Sequence, residues 1–431
     1  MHAAVLLTCF LWGIGQNLPS EVLTFGGVGV GDVLFAGTLA FVLMVRTHRE
    51  EFYQAIADLR APLLFGLAFV LLEFLSLTVN GVSHGLELND IVEVARQFYY
   101  LILMGFVAFA MRRYGLSVVF AFQVGILVTG VVAYLNPRNE DVFGSVMLWN
   151  PNVVGNMLAI GVVLSSILLL GGWIRTASTL MVANLLLAAF SFSKGAWLMC
   201  ALGLVACYLA STGSLNKRLA RQAKLVMGAC MLLIAGIAVQ YYEAVSLILE
   251  FKIETTQFDS SAGEGGTFAA RLGFLEASIQ MALANPVLGV GISNFETVYQ
   301  TFERELGPDY WETDNPHSAW LYILACMGFP ALIAFILLFA WVFRRLSAAI
   351  PLVGWRRRLY VLATGAVFLL SGAVMLQLVT AYFFWFFAGV VAGLGRRATA
   401  RATRPRRLRH PVPSLAVTSL QSPNAQAHPS H

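Results

Sequence analysis

Charge is scarce in this 431-residue sequence, with acidic and basic side chains together making up only 12%. Hydrophobic residues make up 58%, and the mean hydropathy is +0.74. A soluble core cannot hide that much apolar surface, whereas a bilayer can. Cysteine is thin as well. Cys9, Cys200, Cys207, Cys230 and Cys326 are odd in number, all lie in apolar stretches, and lack CxxC or Cys/His ligand spacing. Neither a disulfide framework nor a zinc site is indicated, and they read as small core residues. Gly289-Val290-Gly291 has no strand-turn-helix context and is no dinucleotide fingerprint. No cofactor is expected. Met1 to Gly15 lacks a basic start and a following small-x-small site, so it reads as a short first membrane helix rather than a signal peptide.

What is present is a succession of apolar runs long enough, or nearly so, to cross the hydrocarbon layer. They lie at 3–18, 28–45, 61–79, 92–111, 116–135, 152–170, 177–191, 195–211, 225–241, 318–343, 359–374 and 378–394. The expected fold class is an all-α polytopic membrane protein of about twelve transmembrane helices, with one large periplasmic loop containing short helices. Spans one to nine occupy 1–241, the loop 242–316, spans ten to twelve 317–395, and a basic cytoplasmic tail that reads as disordered 396–431.

The net charge of +5 would hint at nucleic acid only if it were spread evenly, and it is not. With twelve alternating spans, 22 of the 28 basic residues fall on one side, from Arg46, Arg49 and Arg60 to the seven arginines between Arg396 and Arg409. Only Arg96, Arg138, Lys194, Lys252, Arg271 and Arg304 remain for the other. The positive-inside rule then puts both termini in the cytoplasm and makes this an inner-membrane protein with no nucleic-acid partner.

The stretch Tyr242 to Asn315 carries twelve acids and three bases, a net of −9. Within it, Phe268, Leu272, Leu275, Ile279 and Leu283 recur at three- and four-residue steps and predict a helix over 267–284. Asn285-Pro286 stops that helix, and Gly289, Gly291 and Asn294 mark a turn-rich exit. The helix is expected to lie on the membrane surface or to lid the bundle.

Four residues at the outer side could carry chemistry. His317 closes the loop in Asp314-Asn315-Pro316-His317-Ser318. An imidazole there suits a general base, or it is an interfacial histidine capping a helix. On a helical wheel Gly328 falls on nearly the same face, which would narrow to a small residue beneath the histidine. Arg271 persists in an acidic loop. Its guanidinium fork suits phosphate oxygens, with Leu275 one turn on to seat it, or it pairs with Glu264 or Glu276. Lys194, in Ser191-Phe192-Ser193-Lys194-Gly195, is a lone cation that meets an anion or snorkels. Arg96 follows Glu93 by one turn and suits a structural ion pair. A carrier would need charged residues or broken helices at mid-membrane, usually in two matching halves. Glu73 and Pro330 are the only hints of that, and no internal repeat is evident.

The order and spacing of these pieces resemble the bacterial O-antigen polymerase and O-antigen ligase superfamily. The shared features are twelve spans, a large periplasmic loop before the tenth, an Arg-x3-Leu element (Arg271 to Leu275), and a His-[Asn/Ser/Gln]-x9-Gly element (His317-Ser318 to Gly328). Asn285-Pro-Val-Leu-Gly289-Val-Gly291, leading to Phe295, resembles the family's Asn-Pro-x-x-Gly-x-Gly segment. Two positions depart from the pattern. Ala331 stands where the ligase-type motif has Gly, Thr or Tyr, which admits a polymerase. Lys194 stands where relatives commonly have the arginine of Ser-Arg-Gly, which keeps the charge but loses the planar fork.

The resemblance implies a metal-independent, inverting glycosyltransferase at the periplasmic face. Its donor would be an oligosaccharide on undecaprenyl diphosphate and its acceptor a sugar hydroxyl. His317 would serve as base, Arg271, Lys194 and Arg96 as the diphosphate site, and Leu275, Ser318 and Gly328 as motif support. A polysaccharide polymerase is the first reading and a ligase acting on lipid A core the second; a flippase and a chain-length regulator would be partners of a polymerase. A transporter of polysaccharide or lipid-linked sugar is the reading from a different class. The orientation is directly testable. Reporter fusions at Gly265 and Pro308 are expected to be active only in the periplasm, and fusions at Ser214 and Ala398 only in the cytoplasm. A cytoplasmic signal from the 242–315 loop would overturn the orientation.

Overall fold

A helix that is apolar all round ends up enclosed all round, and the residues from Asn152 to Leu170 meet that condition at the centre of the bundle. The computed structural model describes residues 1–14, 24–25, 28–84, 88–135, 151–191, 193–212, 267–306, 316–374 and 382–403, with scattered positions between 221 and 232. These form α1 (His2–Ile14), α2 (Val30–Met44), α3 (Arg46–Ala57), α4 (Arg60–His84), α5 (Leu88–Tyr114), α6 (Ser117–Leu135) and α7 (Pro151–Leu170). They continue with α8 (Ile174–Ala189), α9 (Lys194–Thr212), α10 (Thr267–Ala284), α11 (Phe295–Leu306), α12 (Ala319–Ala349), α13 (Gly354–Val374) and α14 (Tyr382–Thr403). The only strands among the described residues are the two-residue pair Thr24–Phe25 and Val28–Gly29. The protein is all-α and polytopic.

Six of these helices (α4, α5, α6, α7, α9 and α12) are long and apolar enough to cross a bilayer. The apolar helices α1, α8 and the Tyr382–Leu394 part of α14 are shorter. The ninth expected span, 225–241, lies almost wholly outside the described residues, as do Phe192, the loop positions 242–266 and 307–315, and the tail beyond Thr403.

Three departures from the sequence reading have simple causes. Residues 46–57 are not a loop but the helix α3, bent from α2 by 106°. It is polar along most of its length, yet Phe52 and Ala55, three apart, are buried. Its Glu51 pairs with Arg113 at 2.7 Å and the following Asp58 with Arg112 at 2.9 Å, so the ends of α3 and α5 that carry these arginines meet on one side of the bundle. Second, α14 runs through Arg396 and Arg397 to Thr403 instead of stopping at 395. Third, the apolar stripe that predicts α10 does not pack on the protein. Leu272, Leu275, Ile279 and Leu283 are exposed, and Phe274, Ala277, Ser278, Met281 and Ala282 are the buried face against α12. Leu275 therefore turns outward and does not seat Arg271 in the bundle.

Some polar side chains inside the bundle find partners across helices, where no water is available. Asn156 Nδ2 on α7 donates to Ser371 Oγ on α13 at 2.9 Å, and Ser166 Oγ and Tyr360 OH join the same pair of helices at 2.7 Å. Where α1 crosses α6 the backbones touch. A Cβ on Gly13 would lie 2.0 Å from the Phe122 carbonyl oxygen, so only small residues allow that approach. Cys9, Cys200, Cys207 and Cys326 are free and buried, as small core residues should be.

Candidate functional site

The tenth expected span contains Pro330, which lacks the N–H that a helix needs at that position. In an unbroken helix the Phe329 and Pro330 nitrogens would donate to the Ala325 and Cys326 carbonyls. Here Gly328 leaves helical geometry altogether, with φ 80° and ψ −179°, a region open essentially to glycine alone. The Phe329 amide turns instead to the Pro286 carbonyl at 3.0 Å. The two released carbonyls are taken by the segment that follows α10. Val290 N–H donates to Ala325 O at 2.9 Å and Gly291 N–H to Cys326 O at 3.1 Å. Each of these three backbone groups is thus matched by one group of the Asn-Pro-x-x-Gly-x-Gly segment.

The docking is close on both sides. A Cβ on Gly328 would meet the Val287 backbone at 2.7 Å, and one on Gly289 would meet the Cys326 carbonyl carbon at 2.3 Å. Side chains from two helices brace it. Tyr322 OH on α12 donates to Ile292 O at 3.1 Å, Asn80 Nδ2 on α4 reaches Gly289 O at 3.4 Å, and Ser76 Oγ donates to Cys326 O at 2.6 Å. Glu73, one turn earlier on α4, is buried with Oε2 unpartnered among the described residues, and its charge interacts with Glu93 on α5.

His317 stands just before α12. Its φ of +49° is left-handed, uncommon but accessible for histidine. Pro316 before it is buried, and Ser318 after it caps α12, accepting from Leu321 N–H at 3.5 Å and donating to Gly372 O at 3.2 Å. The imidazole itself is exposed, with its ring 5.9 Å from that of Phe274 on α10. Phe274 in turn meets Tyr299 in a tilted contact at 5.5 Å, and Tyr299 stacks on Phe295 at 5.6 Å, so a buried aromatic file ties α10 and α11 to the histidine.

Gly328 does not lie beneath His317 on one helix face, because His317 precedes the helix and Gly328 breaks it. The two ends of that motif do different physical work. Ser318 starts α12, and Gly328 opens it.

Arg271 lies one turn before Phe274 on α10. It makes no ion pair with Glu276, and no partner for it exists among the described residues; Glu264 lies outside them. Nearby protein bulk displaces water and pulls its pKa below the ordinary arginine value, yet a guanidinium remains charged across the physiological range. Lys194 opens α9 and is exposed. Its neighbour Ser193 caps that helix, accepting from Ala196 N–H at 3.3 Å and donating to Asn152 Oδ1 on α7 at 2.7 Å. The links of this element run to α7, whereas Arg271 and His317 stand on α10 and before α12. Arg96 is half-buried on α5. The charges of Glu93 and Arg96 interact, but no direct ion pair joins them. Thus Phe274, one turn from Arg271 on α10, contacts His317, while Lys194 and Arg96 lie on other helices.

Phe274, Ser76, Asn80 and Tyr322 belong to the site and were missed in the sequence. The available signal was Ser76 and Asn80 four apart in an apolar run, and Phe274 beside Arg271.

These features define a polytopic membrane protein in which the segment after α10 docks into a broken span, with Arg271 on α10 and His317 just before α12. Residues 179–336 match the family model described as O-antigen ligase. That bears out the resemblance to the O-antigen polymerase and ligase superfamily and supports a membrane enzyme of that type. The matched stretch takes in Lys194, Arg271 and His317, and Arg96 lies before it. No curated protein matches the sequence.

Glycine at 328 should be irreplaceable. Gly328→Ala is expected to destabilise the purified protein by about 1–3 kcal/mol from backbone strain alone, read as a lowered melting temperature. Gly37→Ala on α2, where nothing lies within 4 Å, should leave melting unchanged or raised. An unaltered melt for Gly328→Ala would remove the docked break from the account.

Proposed function

We propose that this chain is an inner-membrane glycosyltransferase that moves an oligosaccharide from undecaprenyl diphosphate to a sugar hydroxyl at the periplasmic face. In this reading it is a polysaccharide polymerase, both termini are cytoplasmic, and the 242–316 segment is periplasmic. One observation carries it. Arg271 and Phe274 stand one turn apart on α10, and the Phe274 ring lies 5.9 Å from that of His317, 46 positions on from Arg271 in sequence. The family match over 179–336 supports it.

The chemistry balances with these groups alone. His317 takes the proton of the acceptor hydroxyl as its oxygen attacks the anomeric carbon. The bond from that carbon to the diphosphate oxygen breaks, and the lipid diphosphate leaves with the electron pair. Arg271, with Lys194 and Arg96 as further cations, offsets the charge that develops there. A single displacement inverts the anomeric carbon. The ligase alternative differs only in the acceptor, so supplying purified protein with lipid-linked repeat units alone decides between them. A polymerase lengthens the glycan, and a ligase requires lipid A core.

Arg271→Ala is expected to lower kcat on the order of a hundredfold or more, while insertion and yield stay normal. Arg271→Lys should recover part of the loss, since lysine restores charge without the fork. Near-normal turnover in Arg271→Ala would make the residue an ordinary loop cation.

His317→Ala should stop transfer per folded molecule while lipid-linked repeat units accumulate in cells, and wild-type protein should keep working in EDTA. Activity should fall as pH drops and the imidazole takes a proton. Wild-type turnover in folded His317→Ala would remove it from the mechanism and return the transporter reading to contention.

A further inference from the structure

We infer that Ser76 on α4, assisted by Asn80, is a positioning residue that clasps the 286–291 segment to the break in α12 and thereby fixes Arg271 relative to His317. The inference rests on the glycosyl-transfer reading for its catalytic half, and on geometry alone for the clasp.

A serine or threonine inside a membrane helix usually spends its hydroxyl on a carbonyl of its own preceding turn. Thr78, two residues away, does this with Leu75 O at 3.1 Å. Ser76 does not. Its hydroxyl crosses to the carbonyl of Cys326, 250 positions away, at 2.6 Å and fully buried. That carbonyl is the one Pro330 cannot engage, and its second lone pair takes the Gly291 N–H. Ser76 therefore meets the break and the docked segment at a single atom. Asn80, one turn on, donates both to Ser76 O at 3.0 Å and to Gly289 O at 3.4 Å. A Cβ on Gly291 would stand only 2.7 Å from Asn80 Cβ, so α4 also walls the segment in sterically.

The consequence for the site follows from connectivity. The docked segment leaves α10 directly at Ala284, and α10 carries Arg271 and Phe274. The N-terminal half of α12 begins at Ser318, next to His317. The two candidate groups are thus attached to the two partners that Ser76 and Asn80 hold together. Small misplacements of reacting groups cost rate steeply. Neither Ser76 nor Asn80 is placed to touch substrate in this account, so both act through backbone.

The test combines amide hydrogen exchange with turnover, using full-length wild type, Ser76→Ala, Ser76→Thr and Asn80→Ala in lipid nanodiscs. Ser76→Ala should raise exchange at Val290, Gly291 and Phe329 by about tenfold, the scale of one lost hydrogen bond, with α7 unaffected. Its kcat on lipid-linked oligosaccharide should fall by roughly tenfold to a hundredfold, with KM little changed. Ser76→Thr, which keeps the hydroxyl, should restore both readings. Asn80→Ala should show the same pattern and serves if Ser76→Ala does not fold. Unchanged exchange at these amides overturns the clasp. Raised exchange with wild-type kcat overturns the link to Arg271 and His317. If wild-type protein itself transfers no glycan while the exchange pattern holds, the clasp stands and the proposed reaction is at fault.

Discussion

A proline in a membrane helix leaves a carbonyl that the helix cannot satisfy, and inside a bilayer no water is present to do it. In this protein that constraint organises one end of the bundle. Pro330 and the extended Gly328 free the Ala325 and Cys326 carbonyls and the Phe329 amide. The 286–291 segment supplies a matching set of two donors and one acceptor. An unpaired polar group there costs more than a typical net hydrogen bond contributes, so break and segment stabilise each other and neither is expected to persist alone. The helices on either side inherit their positions from this exchange.

The arrangement also explains why a broken span here need not signal a carrier. Broken helices in transporters expose unwound backbone to a substrate or ion. The unwound backbone of α12 is instead consumed by the protein's own loop. The candidate groups Arg271 and His317 lie outside the break, on α10 and just before α12.

Much of this could be read in the sequence, and the misses have physical causes. The bounds of α10 were legible because a regular apolar period met an Asn-Pro stop at 285–286. Its orientation was not, since a stripe such as Leu272, Leu275, Ile279 and Leu283 has the same period whether it faces protein or lipid. The helix α3 was passed over because Arg46, Arg49, Glu50 and Glu51 dominate its composition, although the Phe52–Ala55 spacing was there to be seen. His317 and Gly328 share one motif, but a helical wheel through them needs a helix that starts only after His317 and breaks at Gly328. Ser76 and Asn80 carried only a faint mark in the sequence, because their partners are backbone atoms more than 200 residues away.

The outward leucines of α10 bear on how a substrate would be counted. In the proposed reading a helix with that face lies at the boundary of the hydrocarbon layer, and its first turns would carry Arg271 to the depth of the lipid phosphates. A donor anchored by its own lipid tail would share that layer and reach the arginine by lateral diffusion. Its effective concentration is then a mole fraction within the leaflet. Adding inert phospholipid at constant bulk amounts of enzyme and donor dilutes the reactants in two dimensions, so rates measured in vesicles scale with surface density rather than molarity.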